Sequence, residues 1–509
     1  MGQKILFYIR AKFNYHVAIK IILAIFILEG LYFTFFATFP QAFDENFHFG
    51  LIQIYSHHLS PFLTSQPNGG NPYGAVARDP SYLYHYLLSF PYRIFNLFNQ
   101  NQTAQIIFLR LINLIIFVTG LLLFKKIMEK VGLSKKLIVV SLLLFILIPI
   151  VPQLAGQINY DNLVFLMTGL IVLWSLKLID KIKQKNIDPV LVLAIISLSI
   201  LTSLVKFEFM PIFLAITIYL LVIALKTFRN SIKLILLNLY HNFRKISLSK
   251  KIFLVSFLIL SLIMFGQRDG YNLIKYHSIN PKCDTVLNKI DCQSYSVWYH
   301  DYVSHQLVST NTVSVNKNIF YYIGEWFYWI WYRLFFAVSG QNTNFSNYPP
   351  LPLPSAAFIL ISLISLYAFF RLRTKLFKIS SYVNMLTLIS VIYVLTLFYE
   401  GYKTYQYTGV LELMNGRYLV PILLLIITVS GMAISKILFQ RKKLKIILAS
   451  IVILLFLQGG GVITFITRSD SNWLWDNTEV HKINKAAKKI SKHLIVEGSQ
   501  YYISNVWFL

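Results

Sequence analysis

VAIKIILAIFILEGLYFTFFAT, residues Val17–Thr38, decides the fold. It is apolar throughout except for Lys20 and Glu29, and it is long enough to cross a hydrocarbon layer of about 30 Å. Directly behind it the chain reads Phe39-Pro40-Gln41-Ala42-Phe43-Asp44-Glu45-Asn46-Phe47-His48. Carboxylates are few in such a chain, so their position carries information.

Working outward, the 509 residues are 56% hydrophobic and 13% charged. That composition excludes a disordered chain and points to a bilayer. Span-like windows recur about eleven times: Val17–Thr38, Gln105–Phe124, Leu137–Val151, Leu163–Leu178, Pro189–Val205, Pro211–Leu225, Ile252–Phe265, Ala356–Phe370, Tyr382–Phe398, Tyr418–Ile434 and Ile446–Ile466. The expectation is an all-α polytopic membrane protein with about 11 transmembrane helices. A transmembrane unit would cover residues 1–466, and a short tail 467–509 would follow, with an amphipathic helix near Glu479–Leu494.

The net charge of +27 would suggest nucleic acid in a soluble protein. With the amino terminus in the cytoplasm, however, the inner segments hold 29 of the 47 Lys and Arg and only three acids. The outer side then carries 18 basic and 16 acidic residues. This is the positive-inside distribution; it leaves the C-terminus extracytoplasmic and makes lipid headgroups, not nucleic acid, the partner of the basic runs. The same count puts both long connections outside, 39–104 and 266–355. The apolar run at Val17 lacks a small-residue cleavage site behind it, so it reads as an uncleaved anchor of a cell-membrane protein.

The first outer loop is expected to hold juxtamembrane helices at Phe43–His58 and Ser81–Phe98, joined by a Gly- and Pro-rich linker at 66–74 whose glycines signal mobility. Phe320–Phe336, dense in aromatic rings, reads as an interfacial or re-entrant helix, and Lys226–Lys251 as an interfacial amphipathic one. Cys283 and Cys292 fall in the second outer loop, where a disulfide or two free thiols are both compatible with the spacing.

Asp44 and Glu45 are the candidate catalytic carboxylates, since a carboxylate at a membrane surface can deprotonate an acceptor hydroxyl. The alternative is a helix start, with Asp44 as cap and Glu45 on the dipole. His48, four residues after Asp44, suits acceptor binding or hydrogen bonding. The pair's spacing would also suit shared ligation of a divalent cation, but with no further ligand group in sequence no metal site is assigned. Arg78, in Arg78-Asp79-Pro80-Ser81-Tyr82-Leu83-Tyr84-His85-Tyr86, could clamp a phosphate or pair with Asp79. Arg110, Lys206 and Arg417 lie at outer ends of spans, where the positive-inside rule does not account for them. There they suit a lipid-linked phosphate or snorkel to lipid, and Arg110 could instead neutralise Glu29. Asn159 and Asp161, in Gln157-Ile158-Asn159-Tyr160-Asp161-Asn162, together with His85, suit a sugar cavity; the run is equally sensible as a helix cap.

Together these segments resemble the GT-C superfamily of membrane glycosyltransferases, which includes the protein O-mannosyltransferases and the lipid A aminoarabinose transferases. The resemblance lies in the acidic motif behind the first span and the long outer loops. It is closer to a bacterial family of predicted membrane proteins of unknown function within that group, at Asp44-Glu45-Asn46-Phe47-His48, Asn159-Tyr160-Asp161-Asn162, the Gly324–Trp331 aromatic stretch and Gly416-Arg417-Tyr418. It implies a GT-C fold and inverting sugar transfer from a polyprenyl-phosphate donor to an acceptor in the cell envelope, with Asp44 as the carry-over for the catalytic carboxylate and Glu45 second. The segment after Arg78 has no His-Pro-Pro run, so the resemblance does not extend to donor identity. Other readings compatible with the sequence are a flippase or transporter, or a polymerase or ligase, of lipid-linked saccharides.

Overall fold

The protein is described by a computed structural model covering residues 14–310, 318–335, 352–438, 460–468 and 478–494, with a few isolated positions between them. Among the described residues the regular elements are all helical. Among the described residues, seven helices are long and apolar enough to cross a membrane: Tyr15–Phe36, Gln102–Val131, Tyr160–Lys183, Phe207–Thr227, Leu248–Tyr276, Ser381–Thr408 and Gly416–Lys436. Pro189–Val205 is a shorter apolar helix. The chain is thus an all-α protein with the helices of a multi-pass membrane protein.

We number the main helices α1 (Tyr15–Phe36), α2 (Glu45–Ser56), α3 (Leu83–Phe98), α4 (Gln102–Val131), α5 (Lys135–Ile146), α6 (Ile150–Ala155), α7 (Tyr160–Lys183) and α8 (Pro189–Val205). They continue as α9 (Met210–Thr227), α10 (Ile232–Arg244), α11 (Leu248–Phe265), α12 (Ser296–Ser309), α13 (Ile319–Phe335), α14 (Pro352–Ile379), α15 (Ser381–Thr408), α16 (Val420–Leu438) and α17 (Thr478–Leu494). The tightest pairing, α4 on α7, is made by rings: Phe165 stacks on Phe117 and Phe124 at 4.3 and 4.6 Å. A side chain on Gly120 would strike Phe165, so a small residue lets the two backbones approach.

The stretch expected to span at Leu137–Val151 is instead two short helices, α5 and α6, broken near Pro149. Proline removes an N–H and crowds the preceding turn. The freed Leu147 carbonyl accepts from the Gly461 N–H at 2.8 Å. The last expected span, Ile446–Ile466, lies largely outside the described residues.

The two juxtamembrane helices expected behind the first span are present as α2 and α3, packed on each other. The linker between them is pinned rather than loose. Gln66 donates to the Gly74 carbonyl at 2.7 Å and Asn71 donates to Asp291 at 3.1 Å. Gly74 sits at φ +77° against the Tyr295 ring, where a side chain would be both strained and crowded. Cys283 and Cys292 are joined by a disulfide. Helix α13 buries Tyr322, Trp326, Ile330 and Leu334 along one face, against the turn at Gly416–Leu419 and the end of α15. Helix α10 buries none of its residues and exposes Leu234, Leu236, Leu237 and Tyr240, as an interfacial helix would.

The tail does not stand apart. Phe465, Leu474 and Val480 form a small core with Phe33 and Ala37 of the first helix end, and Trp475 N–H donates to the Phe36 carbonyl at 2.9 Å. The expected amphipathic helix near Glu479–Leu494 is present as α17, but its apolar side chains are split: Val480 is buried, whereas Ile483 and Ile490 are exposed.

Candidate functional site

The turn after α1 presents adjacent acids in two different directions. Phe43 and Asp44 both hold positive φ, +70° and +68°. Two consecutive non-glycine residues in the left-handed region cost about 1–3 kcal/mol each, so the surroundings must impose the shape. Asn159 supplies one tie: its Nδ2 donates to the Phe43 carbonyl at 2.8 Å, and its Oδ1 accepts from the Asp161 N–H at 2.9 Å.

Glu45 supplies the other. Its carboxylate is fully buried and receives Arg110 Nε at 2.8 Å and Nη2 at 2.7 Å. It also accepts from the backbone N–H of Gln41 at 2.7 Å and of Ile158 at 3.0 Å. Arg110 donates further to the carbonyls of Ala37 at 2.7 Å and Thr38 at 2.9 Å, with longer approaches to Thr34 and Phe33. These contacts close the C-terminal end of α1. They also use every N–H of the guanidinium, so Arg110 is a clamp on Glu45 and offers nothing to a phosphate. Nor does it meet Glu29. That carboxylate instead accepts from the Val462 N–H at 3.3 Å, beside Gly461, where a side chain would collide with it.

Asp44 differs in each respect. It occupies the cap position of α2 but makes no capping hydrogen bond. Its side chain, 56% exposed, turns to Arg417 Nη2 at 2.7 Å, and the Arg417 side chain is 7% exposed. Arg417 lies over the rings of Phe43 and Tyr418, while its Nε and Nη1 find no hydrogen-bond partner among the described residues. The backbone N–H of Arg417 is fixed by the Asn415 side chain at 3.0 Å, and Gly416 beside it lies so near Leu334 that a side chain would meet backbone at 2.4 Å. This turn can only be built with glycine at 416.

A buried ion pair, Lys206–Asp161, lies within electrostatic reach of Arg417, beside Tyr160 and Tyr418. Lys206 Nζ meets Asp161 Oδ1 at 2.7 Å and sits 4.6 and 4.8 Å from the ring centroids of Tyr160 and Tyr418. Asp161 Oδ2 has no partner among the described residues. His48 Nδ1 and His85 Nε2 are 2.9 Å apart, with the Tyr160 ring 4.5 Å from that of His48. Burial pulls both imidazoles below their ordinary pKa, His85 to about 3; the neighbouring His85, Arg417 and Lys206 push His48 the same way. The two rings are therefore a neutral pair, one donating and one accepting.

The fold thus gathers Asp44, Arg417, Asp161, Lys206, His48 and His85 around Tyr160 and Tyr418. Glu45, Arg110 and Asn159 stand behind them as supports. Arg78 is elsewhere, buried over the Tyr271 ring at 4.2 Å and weakly bonded to the Thr64 carbonyl at 3.4 Å. Asp79 does not pair with it; its Oδ1 accepts from the Ser81 N–H at 2.8 Å. Reading by charge passed over Tyr160 and Tyr418, although each adjoins a singled-out ion in sequence. It also missed Asn113, which accepts from Tyr84 at 2.9 Å and from Asn162 at 3.0 Å beneath the site.

Chemically, the cluster joins an accessible proton acceptor to a buried cation with donors to spare, over a floor of neutral aromatic and imidazole rings. Such a floor suits a sugar face, and the spare donors suit an anion. Comparison of the chain with protein-family models, with curated proteins and with solved structures returns no match, so it is this geometry that must carry a reading of function.

Proposed function

We propose that the protein is a membrane glycosyltransferase of GT-C type. It would move a sugar from a polyprenyl-phosphate donor to an extracytoplasmic acceptor in the cell envelope, with inversion at the anomeric carbon. The observation that carries this reading is the half-open Asp44–Arg417 pair. One carboxylate is held accessible on an imposed backbone, and its partner has two nitrogen positions left over for an anion.

In this reading Asp44 accepts the proton of the acceptor hydroxyl as its oxygen attacks the anomeric carbon. The bond from that carbon to the phosphate oxygen breaks, and the departing phosphate gathers charge. Arg417, through Nε and Nη1, stabilises that charge, with Lys206 behind it. Asp161, His48 and His85 then line the sugar subsite, and Tyr160 and Tyr418 form its apolar walls. Removing the general base should slow transfer by about 10²–10⁴-fold. The orientation follows from the charge distribution: amino terminus in the cytoplasm, Asp44 outside.

The test is to incubate purified protein with a panel of radiolabelled polyprenyl-phosphate sugars and envelope acceptors. Transfer from at least one donor, slowed by about 100-fold or more in Asp44→Asn, supports the reading. A fully active Asp44→Asn protein removes it, as does cysteine-accessibility labelling that places position 44 on the cytoplasmic face.

A further inference from the structure

A second group of ligating side chains lies away from the proposed chemistry, where α12 meets the connection between α15 and α16. His300 Nδ1 is 3.3 Å from Glu412 Oε1 and 3.7 Å from Asp301 Oδ1. One ligating atom from each of the three lies within 4.8 Å of the other two. All three side chains are partly exposed, so an ion could enter from solvent.

Two features set the cluster apart. Neither carboxylate forms an ion pair with a Lys or Arg among the described residues; both turn to a single imidazole. Glu412 Oε1 is also sealed from solvent, and its approach to the imidazole is long for a hydrogen bond. Once the imidazole gives up its proton to ligate, the two carboxylates leave two negative charges, which a divalent cation would cancel. Ligands about 2.0–2.2 Å from zinc at tetrahedral angles stand roughly 3.3–3.5 Å apart, close to the two separations involving His300.

We propose that His300, Asp301 and Glu412 bind a divalent transition ion of the zinc type, with the remaining coordination positions open to water. One nitrogen and two oxygen ligands suit zinc or manganese better than magnesium, which prefers oxygen alone. Its location gives the ion a structural consequence. Glu412 belongs to a segment bent at Gly409 (φ +74°) and Leu413 (φ +55°), and the far end of that segment holds Arg417. Linking Glu412 to α12 would therefore fix the approach of Arg417 towards Asp44. The Tyr295 ring, just before α12, lies in the electrostatic field of both Asp44 and Asp301, so the two places are neighbours. The site stands independently of the transferase reading, because metal binding requires no sugar.

The experiment uses the purified full-length chain in detergent, stripped with chelator and titrated with Zn²⁺ while the thermal unfolding midpoint is followed. Co²⁺ provides a visible-absorption probe of the ligand set. One equivalent of Zn²⁺ should saturate a rise in midpoint. His300→Ala and Glu412→Gln should each weaken binding by more than about 100-fold, since losing an outer-shell partner alone costs ~10–100-fold. Asp301→Asn serves as a milder variant if either of those fails to fold. His57→Ala/His58→Ala removes an exposed and a partly exposed imidazole elsewhere and should leave binding unchanged. No saturable rise would overturn the proposal and leave an ion pair only. A rise that survives all three ligand substitutions would also overturn it.

Discussion

Glu45 and Asp44 are adjacent in sequence, and each pairs with an arginine at 2.7 Å, yet the two pairs behave as opposites. Glu45–Arg110 is sealed, two-pronged and saturated by backbone partners; Asp44–Arg417 is single-pronged and half open, and among the described residues it leaves donors unused. A saturated pair can only hold structure. An unsaturated one beside solvent can exchange its partner for a ligand. The left-handed turn at 43–44 creates the difference, by directing one acid towards the bundle and the other along its surface.

The sharpest way to separate the pairs is to neutralise each acid in turn. Asp44→Asn should reduce transfer by about 10²–10⁴-fold and lower the unfolding midpoint less than Glu45→Gln, because the half-exposed amide oxygen can still accept from Arg417. Glu45→Gln should do the reverse in kind, since Arg110 would be left as a poorly compensated buried charge. Breaking such a pair costs about 3–5 kcal/mol, so yield and unfolding midpoint should fall sharply. If Glu45→Gln were stable and only inactive, the assignment of clamp and base would have to be exchanged.

A smaller effect is expected at Arg417. Lysine keeps the charge but loses the planar fork, so Arg417→Lys should raise the donor KM about 10- to 100-fold, as expected for a charge-assisted bond worth about 1.5–3 kcal/mol. The unfolding midpoint should change little. An unchanged KM would mean that the spare nitrogens do not face the donor.

The smallest effect concerns pH. His48 and His85 are held neutral in the folded protein, with His85 at about 3, whereas both protonate near 6.5 when unfolded. The unfolded chain therefore binds more protons between those values. The stability the pair contributes is fully present above about 6.5 and is lost as pH falls towards 3. The unfolding midpoint of the wild type should fall across that window, and His85→Phe should flatten the slope. An identical slope in the variant would show that other groups set it.

The apolar helices were legible because a membrane span needs only length and hydrophobicity, and both can be counted. The break at Pro149 shows where counting fails, since composition alone hides a proline that divides a run in two. The site was legible in part. Asp44, Lys206, Arg417 and Asp161 stand out by their placement at span ends, His48 by its spacing from Asp44 and His85 by its polar outer-loop segment, and the fold gathers them. Their partners were not legible. For Arg110 the sequence suggests a phosphate, lipid or Glu29, but it pairs with Glu45 because the chain turns back at Gln41–Asp44. Nor could sequence separate the roles of two neighbouring acids, because that depends on the backbone angles of Phe43 and Asp44. The linker at 66–74 was misjudged for a related reason. Its glycines permit bends, but Gln66, Asp291 and Tyr295 fix them.

The central claim is that Asp44 is a reacting group and Glu45 a support. Its most direct test is a single-turnover transfer assay on matched amounts of folded wild type, Asp44→Asn and Glu45→Gln, with a radiolabelled polyprenyl-phosphate sugar that the wild type consumes. The account predicts that Asp44→Asn turns over about 10²–10⁴-fold more slowly than the wild type, and that whatever fraction of Glu45→Gln remains folded keeps much of its turnover. Wild-type turnover by Asp44→Asn would contradict it.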